Sequence, residues 1–190
     1  MDLSERQALL EEIAAQVRVC PRCRLCQTRT LAVPGEGPAG ARVMFIGEGP
    51  GAAEDRQGRP FVGPAGQLLN QLLLQAGLRR PEVFITNVVK CRPPENREPH
   101  PDEIAACREY LDGQIATLQP RIICLLGRPA TQTLLDPTLS MTRAHGRLFE
   151  RDGLAFMPLY HPAAALHNPS MKAPLEHDFE SLRQLLESRK

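Results

Sequence analysis

Val43-Met44-Phe45-Ile46-Gly47-Glu48-Gly49-Pro50-Gly51 is the stretch that decides the fold. Four apolar residues in succession, stopped by a glycine, predict a strand buried on both faces, because a strand with one wet face would alternate. The glycines that follow allow a tight turn and a close backbone approach to a ligand. The same pattern returns at Val83-Phe84-Ile85-Thr86 and at Ile122-Ile123-Cys124-Leu125-Leu126. A fourth run, Ala155-Phe156-Met157-Pro158-Leu159-Tyr160, contains a proline that cannot donate to a ladder, so it reads as an edge strand. Between the runs lie helical patterns over 66–76, 101–118 and 129–135. Another, over 3–19, has Leu9, Leu10, Ile13, Ala14 and Val17 on one face, and a last covers 175–187. Strand–helix alternation implies an α/β domain with a parallel sheet, helices on both faces and right-handed crossovers. The ligand site of such a sheet lies off the carboxyl ends of its strands.

A length of 190 residues with 42% hydrophobic content supports one core, and residues 1–190 read as a single domain. The net charge of +1 excludes a global basic field of the histone-like kind, so any nucleic-acid contact must be local. With 4% aromatic residues, a broad stacking platform for single strands is excluded as well. Only Lys90, Lys172 and Lys190 are lysines; the remaining basic residues are arginines, suited to bidentate phosphate contact. The acidic start and the lack of any long apolar stretch point to the cytosol and to no membrane contact. Six cysteines in a reducing compartment read as metal ligands or buried thiols rather than disulfides.

Cys20-Pro21-Arg22-Cys23 is a C-x2-C pair on a loop, with Cys91 after the second strand and Cys107 further on. Four thiolates suit either zinc or an iron–sulfur cluster, and free thiols are the plain alternative. Cys26 extends the pair into a ferredoxin-like C-x2-C-x2-C run, which leaves the ligand set open. Pro93, Pro94, Pro99 and Pro101 stiffen the excursion between Cys91 and Cys107, where a metal clip would help close the loop. Cys124, inside an apolar strand, reads as a buried structural thiol.

The turn Gly47–Gly51 fits neither a Rossmann fingerprint nor a P-loop. Glu48 and Glu54 stand beside it, where a carboxylate can orient a water molecule or simply be solvated. Phe61, in Gly58-Arg59-Pro60-Phe61-Val62-Gly63, is either a small core anchor or a face on which a flat ligand stacks. Asn87 ends the second strand, offering a donor and an acceptor side by side, or capping a turn. His161-Pro162 closes the fourth run, and at a strand end a site role competes with a core role.

In combination, Gly47–Gly51, Glu54-Asp55, the Phe61 loop, Thr86-Asn87-Val88-Val89-Lys90-Cys91-Arg92-Pro93-Pro94 and His161-Pro162-Ala163 resemble the family 4 uracil-DNA glycosylases, the bacterial and archaeal iron–sulfur type. The resemblance covers most of the chain from Cys20 to about Asn168. It implies a central four-stranded parallel sheet and a [4Fe–4S] cluster held by Cys20, Cys23, Cys91 and Cys107, with Cys26 outside. It implies hydrolysis of the N-glycosidic bond of uracil in DNA, the first step of base excision repair, by a monofunctional enzyme in the bacterial cytosol or nucleoid. Uracil-containing DNA is the expected partner, and a monomer is expected.

The same resemblance implies roles for single residues. Glu48, Gly49 and Pro50 wrap the base, Phe61 stacks on it, and the Asn87 amide pairs with its O4 and N3–H. His161 donates to O2 of the leaving base, Glu48 or Glu54 positions the water, and Leu166 fills the vacated base stack. Arg59, Arg92 and Lys90 are candidates for phosphate contact. Ala52, Ala53, Ala164, Ala165 and His167 stand where the family often carries acidic, larger or basic side chains. A subtype that traps uracil-DNA covalently has a basic insert after the Cys91 region, and no such insert lies between Pro93 and Pro101, which favours turnover. Two other classes compete: a non-catalytic redox or nucleic-acid module centred on the cluster, and a zinc-stapled nucleotide-binding domain.

Overall fold

In the computed structural model, which describes residues 1–189, period-two alternation divides each apolar run between two faces of one sheet. Strand β1 (Val43–Gly47) sends Met44 and Ile46 to one core and Val43 and Phe45 to the other. The remaining strands are β2 (Phe84–Asn87), β3 (Ile122–Leu126), β4 (Phe149–Arg151) and β5 (Leu154–Leu159). Their order is β2-β1-β3-β5-β4. The first four in this order are mutually parallel, as expected, and β4 adds a short antiparallel edge.

That edge corrects one expectation, since β5 is not the outermost strand despite Pro158. The Pro158 carbonyl accepts from Gly146 N at 2.8 Å, on the side away from β3. The ring nitrogen faces the same way, and β4 pairs only Leu154 to Phe156, so no ladder bond is lost.

The described residues form eight α-helices: α1 (Leu3–Arg18), α2 (Ala52–Gln57), α3 (Pro64–Gln75), α4 (Pro101–Leu118), α5 (Arg128–Leu134), α6 (Met141–Ala144), α7 (Pro162–His167) and α8 (Lys172–Ser188). Asp2 starts α1 with a reciprocal capping box to Glu5. Helices α1, α4 and α5 cover one face of the sheet through residues such as Leu10, Val17, Leu111 and Leu118. Helices α3 and α8 cover the other through Leu69, Leu72, Phe179 and Leu182. Phe45 and Phe179 stack across this second interface, ring centroids 6.2 Å apart. Cys124 is wholly buried there, as expected. No described helix is long and apolar enough to cross a membrane.

Candidate active site

The strand tips of β1, β2 and β5 open into one cleft of about 650 Å³. Glu48, Gly49 and Pro50 reach it from the turn after β1, Asn87 from the last residue of β2, and His161 from the residue preceding α7. Phe61, Glu54 and Leu166 line it too, so every candidate substrate and catalytic residue of the sequence meets in one place. Chain direction explains this, because all three strands are parallel and end at the same edge.

Phe61 has a left-handed backbone (φ +50), a conformation an aromatic residue keeps only when its surroundings enforce it. Arg80 enforces it by donating to the Phe61 carbonyl at 2.8 Å, while its guanidinium also pairs with Glu36 at 3.1 Å. Gly66 lets α3 approach, since a Cβ there would lie 1.9 Å from the Phe61 carbonyl oxygen. Gly47 is equally confined: its added Cβ would sit 2.5 Å from Asn87 Oδ1 and 2.8 Å from Phe61 Cζ. The amide and the aromatic ring therefore meet over a bare backbone. Asn87 Oδ1 is buried and has no hydrogen-bond partner among the described residues, an acceptor that only a ligand or water can satisfy.

His161 stacks against Phe61 with centroids 5.6 Å apart. Its Nδ1 accepts from Ala163 N at 3.0 Å, so the neutral ring carries its proton on Nε2. Desolvation at the floor of the cleft lowers its pKa to about 4. Glu48 moves the other way: burial, then the nearby Glu98, hold its carboxyl above the usual range, against the pull of Arg128. Glu54 turns its Oε1 toward Gly63 N at 3.4 Å, a tie between α2 and the Phe61 loop.

Comparison with known proteins gives the family. The family model described as uracil DNA glycosylase superfamily matches residues 34–185. The chain belongs to the uracil DNA glycosylase superfamily. A type-4 uracil-DNA glycosylase of Sulfurisphaera tokodaii is 50% identical to it, over 93% of this chain and 84% of that protein. Those of Saccharolobus solfataricus and Thermotoga maritima are 46% and 44% identical, over 95% and 87% of this chain and 88% and 87% of theirs. These matches place the chain in the type-4 branch of the superfamily.

This type-4 superfamily member has a second pocket on the α1–α4 side of the sheet that shares no residue with the cleft. Cys20, Cys23, Cys91 and Cys107 all line it, and so does Cys26. Burial pushes the Cys91 thiol up to about 11 and raises those of Cys23 and Cys107. A bound metal would favour the thiolate form of such thiols. No three His, Cys, Asp or Glu among the described residues are grouped to hold a single metal ion. The donors around this pocket are mainly thiols, a set that suits an iron–sulfur group or zinc. Arg29 adds a donor, 3.3 Å from Cys91 Sγ, while also holding Cys20 O at 2.8 Å.

Of the expected phosphate contacts, that of Lys90 is corrected, while Arg59 and Arg92 keep surface positions. Arg59 forms a two-pronged pair with Glu36, both bonds 2.9 Å, and does not line the cleft. Arg92 donates to Asn96 Oδ1 at 2.8 Å. Lys90 is buried at 1% exposure, and its ammonium donates to Asn87 O at 3.0 Å, Gln114 Oε1 at 2.7 Å and Thr86 Oγ1. It is a strut under Asn87, and burial lowers its pKa to about 7. Sequence reasoning missed Arg56, Asn96 and Arg97, which line the cleft beside His167. Its nearest signal was the proline-stiffened stretch that carries Asn96 and Arg97.

Proposed function

We propose that this protein removes uracil from DNA by hydrolysing the N-glycosidic bond, the opening step of base excision repair. The observation that carries the proposal is the unpartnered Asn87 oxygen, buried where Phe61 and the His161 ring converge. A flipped uracil stacks on Phe61, gives its N3–H to Asn87 Oδ1 and receives the Asn87 amide at O4. Cytosine reverses that pattern and leaves buried groups unpaired. As the bond breaks, negative charge gathers on the base, and the neutral His161 Nε2–H donates to O2. Gly49 and Pro50 close over the base. Glu48, ionised, orients the attacking water, and Glu54 steadies the Phe61 loop.

No lysine lines the cleft among the described residues, and Lys90 is enclosed by three acceptors. A Schiff-base route therefore lacks its amine, and the enzyme is monofunctional. Leu166, left 48% exposed on α7 beside His161, serves as the wedge that fills the vacated stack. Cys20, Cys23, Cys91 and Cys107 hold a [4Fe–4S] cluster, whose iron–thiolate bonds, when formed, tie the loop after α1, the segment after β2 and α4 together. Replacing Cys107 by serine should remove iron and visible absorbance from the purified protein. The reducing cytosol suits six free thiols, and the enzyme acts there as a monomer.

The test uses oligonucleotides with and without one uracil, followed by alkaline cleavage of abasic sites. Strand scission confined to the uracil position is expected, with no adduct trapped by borohydride. An intact uracil strand rejects the proposal.

A further inference from the structure

Asp178, fully buried on α8, makes two contacts that the hydrolysis does not use. Its Oδ2 accepts the backbone N–H of Tyr160 at 2.9 Å, and its Oδ1 lies 2.6 Å from His145 Nδ1. The His145 ring packs on Tyr160, centroids 4.3 Å apart. Gly146 (φ +72) closes the cluster, since a Cβ there would stand 3.0 Å from Asp178 Oδ1. A buried carboxylate is unfavourable unless its oxygens are satisfied, and here both have partners.

The strand ladder shows what the carboxylate does. Leu159 O accepts from Gly127 N at 2.8 Å, so Leu159 faces β3. Pro158 and Tyr160, one residue to either side, face the opposite way. There β4 has already ended at its pairing with Phe156, and no strand remains to receive the Tyr160 N–H. Asp178 takes that place. The next residue is His161, whose extended backbone (φ −72, ψ 136) brings Nδ1 onto Ala163 N. With only six residues, α7 is too short to hold its own start, so the end of β5 sets where the ring points.

We propose that Asp178, braced by His145, is a positioning residue for His161: its carboxylate substitutes for a missing strand partner at Tyr160 and so fixes the direction of the His161 Nε2–H. This rests on His161 being the donor to the departing base. Neither Asp178 nor His145 lines the cleft, so neither touches substrate.

Asp178→Asn and Asp178→Leu in the full chain test it. Asparagine still accepts from Tyr160 N–H and can donate to His145, whereas leucine fills similar space without an acceptor. Asp178→Leu should lower the saturating single-turnover rate of uracil release by about 10²-fold. DNA affinity should change by no more than about twofold. Long-range 15N–1H spectra of the histidine rings should show His161 passing from one tautomer to a mixture. Asp178→Asn should restore both rate and spectrum. A leucine variant with the wild-type rate and a single His161 tautomer overturns the proposal. So does an asparagine variant as slow as leucine while melting like the wild type. Should the leucine variant not fold, Asp178→Ala at low temperature replaces it under the same criteria. If the wild type releases no uracil, the proposed activity fails, while the ring spectra still judge the positioning.

Discussion

Because Ala163 N–H occupies Nδ1 of His161, and because burial lowers the ring's pKa to about 4, this histidine acts as a neutral donor throughout the physiological range. It does not titrate in the working range, so the acid limb of activity belongs to another group. Glu48 is that group: its carboxyl lies above the ordinary range through burial and Glu98, and it must be ionised to orient water. The acid limb of kcat/KM should therefore fall at a pH higher than an ordinary glutamate would give. Glu48→Gln should lower the rate and abolish that limb, which a pH–rate profile checks. Removing the His161 donor should cost about 10²–10³ in rate with the limb unchanged. Both side chains were legible in the sequence because each ends an apolar run. Lys90 was not, since its acceptor Gln114 comes from a different element and no local pattern announces it.

Short elements carry the site, and they were the hardest to read. Strands β1 and β3 are covered on both faces, so their burial is written as unbroken apolar runs. Strand β4 is three residues, Phe-Glu-Arg, largely exposed, and leaves no such trace. Helix α7 was signalled only by Pro162 at its first turn, with His161 as its cap. Yet α7 joins two functions, since the leaving-group donor begins it and Leu166 lies near its end. Truncating Leu166 to alanine removes apolar contact of about 1.5–3 kcal/mol if the side chain is fully buried in the base stack. Excision from duplex DNA should slow about tenfold or more on that basis, while single-stranded substrate, which needs no wedge, should be nearly unaffected. Equal slowing on both substrates removes Leu166 from this role.

Across the whole molecule, one sheet separates two sites: a cleft at the strand tips and a thiol pocket under α1 and α4. The fold was readable from four strand runs, and the convergence of Glu48, Asn87 and His161 from their placement at strand ends, whereas Phe61 comes from the loop between α2 and α3. The phosphate-contact assignment of Lys90 failed because its partner Gln114 is distant in sequence. Coupling between site and stability follows from His161. Its folded pKa of about 4 lies below the ordinary histidine value of 6.5, so between these values the unfolded chain binds more protons. Stability from neutral His161 is complete above 6.5 and is lost as pH falls toward about 4. The Tm difference between wild type and His161→Gln should accordingly widen as pH rises through that window and stay constant above it. The central claim is that Asn87 Oδ1 waits for the N3–H of a flipped uracil. Single-turnover release of uracil and of 3-methyluracil from the same duplex position tests it most directly. The methylated base lacks the donor and should be released slower by a factor on the order of 10⁴; release of both bases at the same rate contradicts the claim.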